Sequence, residues 1–280
     1  MRRVFDPRVL VAAIAMVALV LLPGVINAVY VTPHAVFLDH ERRAGQVTVG
    51  NSGDAPEEVL VELKFGFPDT DSTGTPFVRF VEDPGREFPS AADWIRPYPR
   101  RLRLEPGDRQ VVRLLAAPPE DLPDGEYWTR MIVTARGASL AIATPDTTVS
   151  AGVALEIRIV TSITYRKGDV STGVELRGLT AAVEGDSMAV WLSAAREGNG
   201  AYLGTAGFEL LDPERRLVQD WSIPIAVYYP MSRRFVFPLP PLQSGTCLLR
   251  VTLKAERADL LESQVLPAPS VTDSVQIQVP

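Results

Sequence analysis

Side chains able to do acid–base, nucleophilic or metal chemistry are scarce in this chain. Its 280 residues hold two histidines, His34 and His40, and one cysteine, Cys247. With Asp39 the histidines are ligand types for a metal. They stand at the two ends of one strand-to-turn segment, "VTPHAVFLDH", however, with no second cluster to complete a tetrahedral site. Cys247 lies in "GTCLLRVTLKA", which reads as a buried strand thiol, and as a single cysteine it admits no intramolecular disulfide. There is no Gly-x-Ser-x-Gly elbow, phosphate-binding glycine loop or Cys-x-x-Cys pair. Acidic residues fall mostly in turns, where solvation accounts for them. The expectation is a protein that is not an enzyme and has no metal, no cofactor and no small-molecule substrate.

One basic stretch stands out. "IRPYPRRLRLEPGDRQVVR" carries Arg96, Arg100, Arg101, Arg103, Arg109 and Arg113. It is suited to an acidic partner or to lipid headgroups. Leu102, Leu104, Val112 and Leu114 alternate with the arginines, so it also reads as the solvent-facing half of two strands around the Pro106-Gly107 turn.

The elements that must carry these residues are strands. Beyond residue 28 no amphipathic helix is visible, and period-2 runs such as "GQVTVGN", "EEVLVELKF" and "EYWTRMIVTA" recur between turn clusters such as "NSGDAP" and "PPEDLPDGE". Seven or so such runs precede residue 168, and seven more follow, from "GVELRGLTAAV" to "SVQIQVP". The fold class is therefore all-β, two Ig-like β-sandwich domains in tandem, with the boundary at 167–170 and no fixed-period repeat. Trp94 and Trp128 are expected as core aromatics of the first sandwich.

Residues 1–28 have the order of an export signal. Arg2, Arg3 and Arg8 precede an apolar run from Val9 to Leu22, and Ala28 offers a small residue for cleavage. That run is shorter than the ~20 residues that span a bilayer. The segment is read as a signal peptide, with an uncleaved anchor as the alternative; residues 29–167 and 168–280 then form two exported domains. Removing 1–28 takes away three arginines and one aspartate, which moves the net charge from −6 to −8. An acidic exported chain is a poor nucleic-acid binder.

The longest alternating run is "SAGVALEIRIVTSITYRKG", residues 150–168. Val153, Leu155, Ile157, Ile159 and Ile163 share one parity, and Glu156, Arg158, Ser162 and Arg166 share the other. At about 15 residues it exceeds the typical strand of roughly 5–6. Either its apolar face covers its own core, or part of it projects.

Several stretches of the first domain resemble the periplasmic pilus (fimbrial) assembly chaperones. "VTPHAVFLD…QVTVGNSGDAP" is similar to their first strand and Asn-containing turn. "WIRPYPRRLRLEPGDRQVVRL" is similar to their Leu-x-Leu-x-Pro-Gly-x-x-Gln-x-Val-Arg segment. "LPDGEYWTRMIVTA" and the Tyr-Arg of "IVTSITYRKG" also match. The likeness covers residues 29–168 well, and the second domain only in class and position.

The resemblance implies a periplasmic chaperone that binds strand-deficient pilus-type subunits by donor-strand complementation, without ATP. Its partners would be exported subunits and, as an open question, an outer-membrane usher. It places the donor positions on Val153, Leu155, Ile157 and Ile159. The family anchors the C-terminus of its client with an arginine and a lysine. Those two positions fall on His34 and Ser162, neither of which carries a permanent charge. Arg158 and Arg166 share the parity of Ser162 but lie about 13 Å from it along a strand. The alternative reading is a structural or adhesive Ig-like envelope protein, membrane-anchored in one form. Gene context separates the two.

Overall fold

The computed structural model describes residues 29–137, 140–141, 152–153, 156–241 and 244–279. The signal segment and Leu155 lie outside the described residues, and only the backbone of Val153 lies within them.

The first half contains β1 (Val29–Thr32), β2 (Ala35–Asp39), β3 (Ala44–Asn51), β4 (Glu57–Lys64), β5 (Gly66–Thr70), β6 (Pro76–Phe80), β7 (Ile95–Tyr98), β8 (Arg101–Leu104), β9 (Arg109–Ala116), β10 (Gly125–Gly137), β11 (Leu140–Ala141), β12 (Gly152–Val153) and β13 (Glu156–Lys167). Nine of them form two facing sheets, ordered β1-β3-β9-β7 and β2-β13-β10-β4-β8, while β5 with β6 and β11 with β12 make separate two-stranded ribbons. Period-2 alternation explains why. Val47, Val49, Val112 and Leu114 point inward from one sheet, and Val59, Val61, Met131, Val133, Ile163 and Tyr165 point inward from the other. Burying each such side chain is worth about 1.5–3 kcal/mol.

The second half contains β14 (Thr172–Glu184), β15 (Ser187–Gly198), β16 (Tyr202–Leu211), β17 (Leu217–Val227), β18 (Met231–Pro238), β19 (Gly245–Lys254) and β20 (Val271–Val279). Sheets β14-β15-β18 and β17-β16-β19-β20 enclose Val190, Leu192, Phe208, Leu210, Leu249 and Val251. Cys247 is buried in this core, where desolvation pushes its thiol pKa up. The only helical turn among the described residues is the short 3-10 segment Glu262–Gln264. The chain is all-β, two sandwiches in tandem.

Around the Pro106-Gly107 turn Arg101, Arg103, Arg109 and Arg113 are exposed, and Leu102, Leu104, Val112 and Leu114 are buried. β8 pairs with β4 and β9 with β3 and β7, so the turn carries the chain from one sheet to the other. One expectation needs revision: Trp128 is not a core aromatic of the first sandwich. It lies on the even parity of β10, opposite to Met131 and Val133, and packs at the interface between the sandwiches with Phe65, Phe67, Leu203 and Tyr228. Trp94 is half-buried beside that core, and the fully buried aromatic inside it is Tyr165.

Polar contacts also join the two halves besides this aromatic cluster. Glu126, fully buried, accepts hydrogen bonds from Trp128 Nε1 (2.6 Å), from the Ala201 backbone N–H (3.1 Å) and from Arg166 Nε (2.9 Å). Arg166 Nη2 also donates to the carbonyl of Gln264 at 2.7 Å. Finally, the tip of the β5–β6 hairpin rests on β18, where Arg234 N–H donates to the Gly74 carbonyl at 2.9 Å. Gly74 has φ +78°, and a Cβ there would sit 2.6 Å from Arg234 N, so this approach requires glycine.

Candidate donor strand and interdomain cleft

β13 is paired along one side and only partly along the other. Against β10 it is antiparallel throughout, from Glu156 opposite Arg136 to Lys167 opposite Gly125. Against β2 it is parallel, and that pairing runs only from Ser162 opposite Ala35 to Arg166 opposite Asp39. Among the described residues nothing pairs with the outer side of Glu156–Thr161, so its backbone N–H and C=O groups form an open edge.

The odd-numbered side chains follow the same division. Ile163 and Tyr165 are fully buried in the home core, and Thr161 is buried with them. Ile159 is half-buried and packs against that core, whereas Ile157 is half-buried outside it. The strand therefore seals its own sandwich with its C-terminal half and overhangs with its N-terminal half. At the overhang Glu156 receives hydrogen bonds from Arg136 and Arg158, each at 2.7 Å, and the first of these holds its carboxyl below the usual range.

The even face of β10 turns toward the second sandwich at Trp128 and Arg130, which stand opposite Thr164 and Ser162 of β13. Farther along, Ile132 opposite Val160 and Thr134 opposite Arg158 line a pocket with Phe80, Val81 and Glu82 of the first half. β10 is thus buried on both faces, with Met131 and Val133 behind it and Trp128 and Arg130 in front. A cavity of about 750 Å³ opens here. Its walls include His34, Phe37, Arg130 and Ser162 from the first half, and Leu203, Tyr228, Leu260 and Leu261 from the second.

The structure brings two of the four anchor candidates together. His34, exposed, accepts a backbone hydrogen bond from Ser162 at 3.1 Å, and both line the cavity. Arg158 is held by Glu156 on the overhang, and Arg166 is held by Glu126 and Gln264 while its guanidinium lies 5.0 Å over the Phe37 ring.

The cation in the cavity is Arg130, which sequence reasoning does not single out. It is 5% exposed. Its Nε donates to the Gly66 carbonyl at 3.0 Å and its Nη1 to Ser162 Oγ, while Nη2 is buried with no protein partner. Its guanidinium lies 5.2 Å from the Tyr228 ring centroid. The other charged pair on the wall, Arg257 and Asp259, is closed on itself by two hydrogen bonds of 2.7 and 2.6 Å, which also hold the Asp259 carboxyl below its ordinary value. Arg130 thus leaves one buried N–H site directed at no acceptor, and Ser162, whose Oγ accepts from Arg130, keeps its own O–H to donate. Two donors and a buried positive charge suit a carboxylate. The signal in the sequence is an arginine between Trp128 and Ile132 on one parity of "EYWTRMIVTA", where a charge among large apolar side chains is expected to be paired or functional.

His40 is engaged at the far end of β2. Its Nδ1 is 2.7 Å from the Tyr165 hydroxyl and its Nε2 is 2.8 Å from Arg43 Nη2. Among the described residues no three His, Cys, Asp or Glu side chains come together as metal ligands.

No protein-family model matches the chain, and no curated protein does either. Solved structures do. The CsuC–CsuE pre-assembly complex of a chaperone with a tip adhesion subunit, from Acinetobacter baumannii, is 14% identical, covering 74% of this chain and 89% of that one, with a TM-score of 0.40. The Pseudomonas aeruginosa CupB2 chaperone is 12% identical over 88% of this chain and 98% of its own, with a TM-score of 0.38. The Salmonella enterica SafA pilin–SafB chaperone complex is 12% identical over 81% and 91%, with a TM-score of 0.37. The function must be read from the chain's own strand edge and cleft.

Proposed function

We propose that this chain is an ATP-independent periplasmic chaperone for strand-deficient pilus-type subunits, working by donor-strand complementation. One observation carries the reading: among the described residues the outer edge of β13 has no strand partner from Glu156 to Thr161, and it runs straight into the cleft that holds Arg130. A subunit that lacks its last Ig strand exposes an apolar groove with unpaired backbone on both rims. β13 adds itself to that groove, its backbone satisfying a rim while alternate side chains fill the pockets. Val153, Leu155, Ile157 and Ile159 are the donor side chains, with Ile159 shared with the home core. The subunit's terminal carboxylate then accepts from Arg130 Nη2 and Ser162 Oγ, which fixes the register of the added strand.

The test is co-expression of the full chain with an exported Ig-like subunit lacking its final strand, followed by co-purification from the periplasm. Ile157→Glu and Arg130→Gln are expected to abolish or strongly weaken capture while the chaperone stays folded. Truncating one partner of a buried hydrogen-bonded charge pair costs about 2–5 kcal/mol, so Arg130→Gln should weaken binding about 30-fold or more. Equal capture by both variants and parent would remove the reading.

A further inference from the structure

The outward face of the β1-β3-β9-β7 sheet is positively charged in an acidic protein. Its exposed positions include Arg109, Val111, Arg113 and Leu115 on β9, and Arg96 and Tyr98 on β7; Tyr98 is 76% exposed and Leu115 59%. Register sets them side by side: Arg113 opposite Tyr98 and Gln46, Leu115 opposite Arg96 and Ala44, Val111 opposite Thr48. None of the outward residues of these four strands is acidic, although the whole chain has net charge −6. No ion pair among the described residues engages Arg96, Arg109 or Arg113, and Arg96 donates only to its own Ile95 carbonyl at 3.4 Å.

We infer that this face docks on an anionic lipid surface. Arginine guanidinia meet phosphate oxygens in a two-pronged fit, while tyrosine and leucine suit the boundary between headgroups and acyl chains. Continuity points the same way. β1, the edge strand of this sheet, begins at Val29, seven residues after Leu22 closes the apolar N-terminal run. Seven extended residues reach at most about 25 Å, so while that segment is attached the basic face stays beside whatever the run enters. The inference is independent of the donor strand, which belongs to the other sheet.

The experiment uses the full chain with vesicles of pure phosphatidylcholine or of phosphatidylcholine with one-third phosphatidylglycerol, at low and high salt. Each arginine near an anionic surface contributes about fivefold, so the triple variant R96Q/R109Q/R113Q should bind the anionic vesicles about 100-fold more weakly. Attachment through the N-terminal run alone, whose own Arg2, Arg3 and Arg8 also favour anionic lipid, would be indifferent to the triple change, and that result overturns the proposal. So does the absence of binding to anionic vesicles, including the case where only an acidic protein is retained by the face. The three arginines are solvent-exposed, so the variant should fold; should it not, the single variants R96Q and R113Q are the second reading, each expected to bind the anionic vesicles about fivefold more weakly at low salt. A salt-insensitive preference counts against the inference.

Discussion

Removing the Glu126 carboxylate should loosen the two sandwiches from each other. That carboxylate is fully enclosed and accepts three hydrogen bonds, from the Trp128 indole, the Ala201 N–H and the Arg166 guanidinium. Glu126→Ala leaves two buried donors without an acceptor, each worth about 1–3 kcal/mol, and an arginine whose side chain is only 16% exposed without its counter-ion. These losses overlap, because water can enter the vacated space. Breaking a buried pair by removing one member costs about 3–5 kcal/mol in total. For a chain of this size that is a fall in Tm of about 6–20 °C. Ala201 and Gln264 belong to the second sandwich, so the damage concentrates at the junction, and differential scanning calorimetry should resolve two transitions where the parent shows one. Glu126→Gln keeps an oxygen for the indole and Ala201 and should fall between the two. A Glu126→Ala protein that melts as one unit within 2 °C of the parent would show that the aromatic cluster alone sets the domain arrangement.

Other expectations are separable. Burial pushes the Tyr202 phenol up to about 12, above its ordinary 10, and its hydroxyl has no protein partner. A raised value in the folded state means stability that is complete below pH 10 and is lost as pH rises toward 12; Tyr202→Phe should flatten that alkaline limb of urea-unfolding curves by up to about 2–3 kcal/mol and leave neutral stability unchanged or higher. Gly74→Ala, at φ +78° against Arg234 N, should cost about 1–3 kcal/mol and raise amide exchange in the β5–β6 hairpin, whereas Gly85→Ala, with open space around it, should disturb no interdomain contact. Ile159→Ala should lower stability through the home core, while Ile157→Ala should leave the melting curve within 1 °C of the parent.

Most strands can be read from alternation, because a strand with one wet face writes its period into the sequence. β10 shows the limit of that signal. Both of its faces are covered, yet "EYWTRMIVTA" still alternates, with Glu126, Arg130 and Thr134 on the parity of Trp128. Expecting Trp128 in the home core follows its size and overlooks that parity, because nothing local shows that the polar face is covered as well. Arg130 escapes notice because its burial comes from Tyr228, nearly a hundred residues away, and from the hairpin after β4. Of the 150–168 run, the described residues form two elements, β12 paired with β11 and the 12-residue β13, and the point at which the cover of β13 stops is not legible. That point is set by where β2 begins its parallel pairing, at Ala35 opposite Ser162, a tertiary fact.

The ion cluster of Glu156 with Arg136 and Arg158 bears on any strand that joins the free rim of β13. Its charges occupy one parity only, while Ile157 and Ile159 hold the other. A guest in the right alignment lays its greasy residues over the isoleucines and leaves its hydrophilic side to the ions. Sliding by a single position inverts the guest and presses its greasy side onto three charges. The overhang thus rejects slipped arrivals by chemistry already present in the empty molecule.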